Sequence, residues 1–120
     1  MPNYVDAFVV PVPLAQLAAY RRMARKSGQV WLDHGALEYR ECVADDVQPG
    51  KLTSFPQSVD LQDGETVVLA TVVYKSRKHR DAVMAKVMVD TRLTGMVRDK
   101  KMPFDPARMF FGGFKTIVSL

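Results

Sequence analysis

The chain has little of the chemistry that stabilises small secreted domains or builds metal sites. Its 120 residues include one cysteine, Cys42, and two histidines, His34 and His79. A single cysteine excludes an internal disulfide, and two histidines with one cysteine cannot supply a zinc cluster of the usual spacing. We therefore expect no structural metal. No bound cofactor is predicted either.

Long apolar runs are also lacking, since none approaches the roughly 20 residues that span a bilayer. The first residues, MPNYVDAFVVPVP, have no basic segment and carry Asp6 and prolines within their apolar stretch, unlike a secretory signal peptide. A composition of 48% hydrophobic and 25% charged residues is typical of a globular protein. We expect one cytoplasmic domain over residues 1–120, with no membrane partner.

Positive charge is concentrated in the second half of the chain. Residues 1–60 carry six Lys and Arg against seven Asp and Glu, whereas residues 61–120 carry eleven against six. Most of the excess lies in residues 75–101. This basic region is either a footprint for RNA or an acidic partner, or a set of solvated helix faces. We favour solvated faces and expect no nucleic acid, because no aromatic residue is interleaved with these charges.

Hydrophobic periodicity predicts the element order β-α-β-β-α-β with one short extra helix. The predicted strands are 4–10, 36–43, 65–75 and 109–118; the helices begin near 14, 76 and 91; a loop covers 44–56 and an extended approach 57–61. Ser76 is the expected N-cap of the second helix and Gly35 the expected end of the first. This order predicts an α+β, ferredoxin-like fold, a four-stranded antiparallel sheet with two helices on one face.

Side-chain patterns predict what each element buries. In the first helix an apolar stripe of Leu17, Tyr20, Ala24, Ser27 and Trp31 opposes a row of basic residues. In the second helix the predicted apolar side is Ala82, Val83, Ala85, Val87 and Val89. Gly112 and Gly113 interrupt the last strand, which predicts a bulge or a close approach to its backbone.

The third strand hardly alternates between apolar and polar residues from Val67 to Tyr74. A sheet with helices on one face and water on the other should alternate. Its second face is therefore predicted to be covered, and because no other part of the chain is free to do so, a second copy is the expected cover. The predicted assembly is a two-fold homodimer, in which two sheets stack as a dimeric α/β barrel.

Several segments are similar to the YbaA-like family, a bacterial group known as domain of unknown function 1428. They are YVDAFVV, DHGALEYREC, GKLTSFPQSV, KSRKHRDAVMAKVMVD and the terminal MPFDPARMFFGGFKTIV, which are spread in this order along nearly the whole chain. The resemblance implies membership of the dimeric α/β-barrel superfamily. Its relatives include cofactor-free monooxygenases, isomerases, dehydratases and haem-binding enzymes, together with domains that bind small effectors, so the fold does not select an activity.

Candidate acid–base residues are His34 and Asp6. A histidine near a strand entrance is suited to proton transfer, although it can equally bond the last carbonyls of the first helix. Asp6 shares a strand face with apolar residues, where burial would favour acid–base work. Its alternative role is an ion pair with Arg40 or Arg108.

Candidate ligand-binding residues are Arg108, Asp105, Arg40 and Trp31. Asp105 stands three residues before Arg108, so the two can close a loop through a charge-assisted bond or present the arginine to an anion. Trp31 belongs to a core stripe or walls a pocket mouth. Cys42 has no basic neighbour in sequence that would favour a thiolate and is expected to pack as a small buried residue.

These features predict binding of a small molecule in a cleft beside the sheet, and the resemblance implies cofactor-free monooxygenase- or isomerase-like chemistry as an extension. The alternative is a non-catalytic interaction module that uses the basic residues 75–101 for an acidic partner or RNA. The sequence alone leaves enzyme activity undecided.

Overall fold

A computed structural model describes residues 3–98 and 102–120. Lys100 and Lys101, from the basic region, lie outside the described residues. The strands are β1 (Tyr4–Pro13), β2 (Glu38–Val43), β3 (Glu65–Tyr74) and β4 (Phe110–Lys115); the helices are α1 (Leu17–Asp33), α2 (Phe55–Ser58), α3 (Arg77–Val87) and α4 (Thr91–Arg98). A single 3-10 turn, Leu14–Gln16, leads into α1.

The four strands form one antiparallel sheet in the order β2-β3-β1-β4. The register places Asp6 of β1 opposite Val72 of β3 and Gly113 of β4. Tyr20 and Ala24 of α1 pack on Val10 and the even-numbered residues of β1, and α3 covers the same face beside Tyr74. The predicted α+β ferredoxin-like fold is confirmed.

β1 continues through Pro11 to Pro13, beyond the predicted end at Val10. Proline is confined to sheet edges or bulges, because it lacks the backbone N–H that a second neighbouring strand needs. β4 pairs with β1 only as far as Val9, so the stretch that holds both prolines has β3 as its one neighbour. Because β4 does not pair with β1 beyond Val9, no second strand among the described residues requires a backbone N–H from these prolines.

Both predicted helix caps are present. The Ser76 hydroxyl accepts a hydrogen bond from the backbone N–H of His79 at 3.1 Å. At the end of α1, Gly35 has a φ of +110°, and Ala36 donates its backbone N–H to the Trp31 carbonyl at 3.0 Å. This is a Schellman arrangement, for which glycine is suited because it adopts positive φ without a steric penalty.

The apolar face of α3 is narrower than predicted. Val83 and Val87 are fully buried, whereas Ala82, Ala85 and Val89 are exposed to solvent. The two valines are four residues apart, so they lie one above the other on the side that faces the sheet. The other three residues of the predicted apolar side are therefore surface residues.

Residues 44–61 correct the prediction of a plain loop. Phe55–Ser58 form a short helix capped by the Ser54 hydroxyl, where a loop to Pro56 and an extended approach from Gln57 are predicted. Beyond it, Val59 is 2% exposed and packs on Val9 and Val67. Val9 and Val67 lie on the sheet face opposite α1 and α3. Residues around Val59 of the same chain therefore cover one end of that face.

The rest of the second face is open to solvent, and we call it the open face. Its three cross-strand rows are Glu38–Val73–Val5–Phe114, Arg40–Thr71–Ala7–Gly112 and Cys42–Leu69–Val9–Phe110. The middle row has small side chains at its centre, between rows that contain exposed Phe110, Phe114 and Leu69. Cys42 is exposed in the single chain and is not buried as predicted.

The two glycines of β4 differ in their surroundings. The register runs through both without an inserted residue, so the predicted bulge is absent from this strand pair. A Cβ on Gly113 would stand 2.7 Å from Cε2 of Tyr4 and 2.9 Å from Nη1 of Arg80. A Cβ on Gly112 would meet only the Phe114 ring, at 3.8 Å. The predicted close approach is therefore confirmed at Gly113, within this chain, and not at Gly112.

Candidate functional site

Asp6 belongs to a series of buried, hydrogen-bonded polar side chains beneath α3. Its carboxylate accepts hydrogen bonds from Nη1 of Arg80 at 2.7 Å and from the Tyr74 hydroxyl at 3.0 Å. The Tyr74 hydroxyl in turn accepts from Nε1 of Trp31 at 3.1 Å. Burial, together with the charge of Asp6, raises the pKa of Tyr74 well above its usual value. The ion-pair partner of Asp6 is thus Arg80 rather than Arg40 or Arg108, and the acid–base roles of Asp6 and His34 stay predictions.

His34 lies at the end of α1 and is joined to the start of α4. Its Nε2 is 2.7 Å from Oδ2 of Asp90. Asp90 also accepts bonds from the backbone and side chain of Arg92. Hydrogen bonds first from Arg92 and then from His34 lower the pKa of Asp90 well below its usual range. The cluster therefore anchors α4 to α1.

Arg108 donates hydrogen bonds to four residues of its own chain, one of them at the Val59 backbone carbonyl at 3.3 Å. It donates two hydrogen bonds to Glu65, at 2.6 and 2.8 Å, and one to Asp105 at 3.1 Å. It also donates to the backbone carbonyl of Asp60 at 3.0 Å. The loop-closing bond between Asp105 and Arg108 is present, and the arginine fastens the segment before β4 to the start of β3.

Arg40 points away from the helices. It pairs with Glu38 at 3.0 Å on the open face, and both side chains are largely exposed. Exposed pairs of this kind contribute little to stability. The predicted ligand roles of Arg40, Asp105 and Arg108 stay predictions, and none of these side chains lines the cavity described next.

A cavity of about 170 Å³ lies between the helix face of the sheet, α1, α4 and the segment before β4. We call it the Glu41 cavity. Its lining is apolar except for one carboxylate and three hydroxyls. The lining residues are Phe8, Val10, Tyr20, Met23, Ser27, Trp31, Tyr39, Glu41, Ala70, Leu93, Met96, Met102, Phe104 and Met109. Of the residues proposed from sequence, the structure therefore places Trp31 in this cavity.

Two tyrosines hold the Glu41 carboxylate. Tyr39 donates its hydroxyl to Oε2 at 2.6 Å, and Tyr20, from α1, donates to Oε1. Burial and the charge of Glu41 raise the pKa of both tyrosines well above the usual value. Both hydroxyls therefore remain protonated near neutral pH and act as donors to the carboxylate.

Gly28 makes room for this arrangement inside α1. A Cβ at this position would lie 2.6 Å from Cδ1 and 2.9 Å from Cε1 of the Tyr39 ring. Contacts this short require the ring to move. The absent side chain therefore lets Tyr39 lie against the helix and reach Glu41.

This geometry makes Gly28→Ala destabilising, although alanine is the better helix former. We expect a loss of about 1–3 kcal/mol in urea unfolding, from overpacking against Tyr39. The matched control is Gly95→Ala in α4, where a Cβ meets no described atom within 4 Å. That change should stabilise by about 0.5–1 kcal/mol. Equal effects of the two changes would contradict the assigned role of Gly28.

A wider groove of about 1100 Å³ runs along α1 and β2 on the other side of Glu41. Tyr20, Tyr39 and Glu41 line both the groove and the cavity. Arg21, Arg22 and Arg25, exposed on α1, line the groove alone. We call it the arginine groove, and the Glu41 side chain forms part of the wall between the two spaces.

The residues missed in the sequence are Glu41 and its two tyrosines. Alternation in β2 places Tyr39 and Glu41 on one face, and Tyr20 belongs to the apolar stripe of α1, so their faces were predictable. The convergence of the three side chains depends on the packing of α1 against β2. No spacing between these residues in the sequence indicates that their side chains converge.

Neither a group of metal-ligating side chains nor a membrane-spanning helix occurs among the described residues. Within residues 3–98 and 102–120, no three His, Cys, Asp or Glu side chains are grouped so as to hold a metal ion. In the same residues, no helix combines the length and the apolar character that crossing a membrane requires. Arg80 and Arg92, from the basic region, are held in ion pairs within the chain.

Comparison with known proteins places the chain in a family. Residues 3–106 match the family model described as protein of unknown function DUF1428. The chain is 43% identical to the uncharacterized protein YbaA of Escherichia coli K12 and of Shigella flexneri, over 97% of each chain. A dimeric ferredoxin-like protein from an uncultured marine organism shares the fold, with a TM-score of 0.68, 10% identity and full coverage of both chains. The chain belongs to the DUF1428 family.

Proposed function

We propose that the protein binds a small, largely apolar molecule in the Glu41 cavity. The observation that carries this proposal is a cavity of about 170 Å³ between sheet and helices. A cavity of about 150 Å³ is known to accept benzene, so this one has the size for a single-ring compound.

The lining supports this proposal. Met23, Met96, Met102 and Met109 contribute flexible, polarisable side chains from three parts of the chain. Methionine adapts to irregular shapes and makes favourable contacts with aromatic rings. Apolar lining with a few convergent polar groups is typical of small-molecule sites.

The proposal is tested with benzyl alcohol, a neutral single-ring probe. Trp31 is the one tryptophan of the chain and lines the cavity, so its fluorescence reports on binding there. We expect a saturable change in this fluorescence, together with a rise in the melting temperature that grows with probe concentration.

A filled cavity provides the control. Ala70 lies at the floor of the cavity, and Ala70→Leu should occupy part of its volume and abolish both responses. Ala82→Leu makes the same change at an exposed position of α3 and should leave binding intact. Equal binding by the Ala70→Leu variant, or no binding by the native protein at millimolar probe, would refute the proposal.

Acid–base chemistry, if it accompanies binding, belongs to Glu41 in this arrangement. A general base must come within hydrogen-bond reach of the bound molecule. Glu41 lines the cavity. The acid–base candidates from the sequence, His34 and Asp6, pair with Asp90 and Arg80 respectively and do not line it. The function proposed here is binding.

We also propose that the protein is a homodimer joined through the open face. Leu69, Phe110 and Phe114 are 38–60% exposed there, side by side with the uncharged residues of β1. Exposed apolar patches on one face of a sheet are typical of interfaces. The small central row, which includes Ala7 and Gly112, allows a second sheet to approach closely. The similar marine protein is itself described as dimeric.

A further inference from the structure

Glu41 differs from the other acids that are at least half-buried in the described chain. Asp6, Glu65 and Asp90 each pair with an arginine, respectively Arg80, Arg108 and Arg92. Among the described residues, Glu41 forms no ion pair, and no lysine, arginine or histidine lines its cavity. A carboxylate withdrawn from water is costly unless a cation or several hydrogen bonds compensate its charge.

The two tyrosines compensate that charge only in part. They remain protonated and donate one hydrogen bond each, whereas an ionised carboxylate has about four acceptor sites. The arginines of the arginine groove share that groove with Glu41 but, among the described residues, form no ion pair with it, and water and salt screen their exposed charges. Acceptor capacity and negative charge thus remain at the cavity wall.

We propose that the cavity selects a small apolar molecule that carries a protonated amine. The hydrocarbon part contacts the methionine and aromatic lining, and the ammonium donates a charge-assisted hydrogen bond to Glu41. Trp31, Tyr20 and Tyr39 add aromatic faces at which a cation is favoured. This assignment rests on the proposed function and adds the chemical class of the ligand.

The test compares three single-ring probes of similar size: benzylamine as the cation, benzyl alcohol as the neutral analogue and benzoate as the anion. The native protein should bind benzylamine at least about 10-fold more tightly than benzyl alcohol, and benzoate most weakly. The preference should persist at high salt, because a pair shielded from water is screened much less than a surface attraction.

Variants assign the preference to one carboxylate. Glu41→Gln removes the charge, so the ratio of benzylamine to benzyl alcohol affinity, both measured on the same variant, should fall at least about 10-fold. Glu38→Gln, on the same strand but on the open face, should leave both affinities unchanged.

The outcomes separate the two proposals. Equal affinity for benzylamine and benzyl alcohol, or an amine preference that survives Glu41→Gln, overturns the ligand class and leaves the cavity as a binding site. No saturable binding of any probe overturns the proposed function itself.

Discussion

Replacing Arg80 with methionine should lower the free energy of unfolding by about 3–5 kcal/mol, since the change leaves a buried carboxylate without its cation. Asp6 is 4% exposed and keeps only the Tyr74 hydroxyl as a partner in this variant. Methionine preserves much of the aliphatic stem, so the loss is mainly electrostatic. The measurement is urea unfolding at neutral pH, followed by circular dichroism.

Two further variants define the cause. Arg92→Met removes ion pairs of a side chain that is 48% exposed, and should cost no more than about 1 kcal/mol. In the double variant Arg80→Met with Asp6→Asn, the buried charge is gone and a substantial part of the loss should be recovered. If Arg80→Met costs no more than Arg92→Met, the pair with Asp6 is not the stabilising contact assigned to it.

Leu69→Arg should convert the proposed dimer to monomer. The side chain is 38% exposed on the open face, in the row with Val9 and Phe110 that borders the central row. Each dimer would bury two arginines against apolar residues without a partner charge, which should raise the dissociation constant by about 100-fold or more. Sedimentation of the native protein at micromolar concentration should give twice the chain mass of 13.5 kDa, and that of the variant the chain mass.

The same substitution elsewhere provides the control. Leu52 is 98% exposed in the segment between β2 and α2, and Leu52→Arg adds the same charge away from the open face. It should remain a dimer. A native protein that sediments as a monomer, or a dimer that tolerates Leu69→Arg, would contradict assembly through this face.

Much of the fold follows from local patterns. The stripe of α1 assigns its buried face, and Ser76 and Gly35 define helix ends through their side-chain and backbone chemistry. The parts of the fold that the sequence did not predict also have a physical explanation. Residues 55–61 consist of turn-forming and apolar residues without periodicity, so packing of Val59 on Val9 and Val67 decides their path.

The candidate site was less predictable, because it depends on contacts between distant segments. Single residues with reactive groups, such as His34 and Asp6, attract attention in a sequence, yet the structure gives each a partner from α3 or the segment that precedes α4. Glu41 resembles any exposed acid in β2. It becomes a candidate binding group only in the folded chain, where Tyr20 of α1 and Tyr39 both donate hydrogen bonds to its carboxylate.

The sheet order has a consequence for how the chain folds during synthesis. β1 is made first among the strands, yet it lies between β3 and β4, so that Tyr4 pairs with Tyr74 on one side and Lys115 on the other. At about 5–20 residues per second, its apolar residues wait seconds for their first partner strand. Such non-local pairing slows folding and leaves nascent chains prone to aggregation, which makes early chaperone contact with Tyr4–Pro13 advantageous.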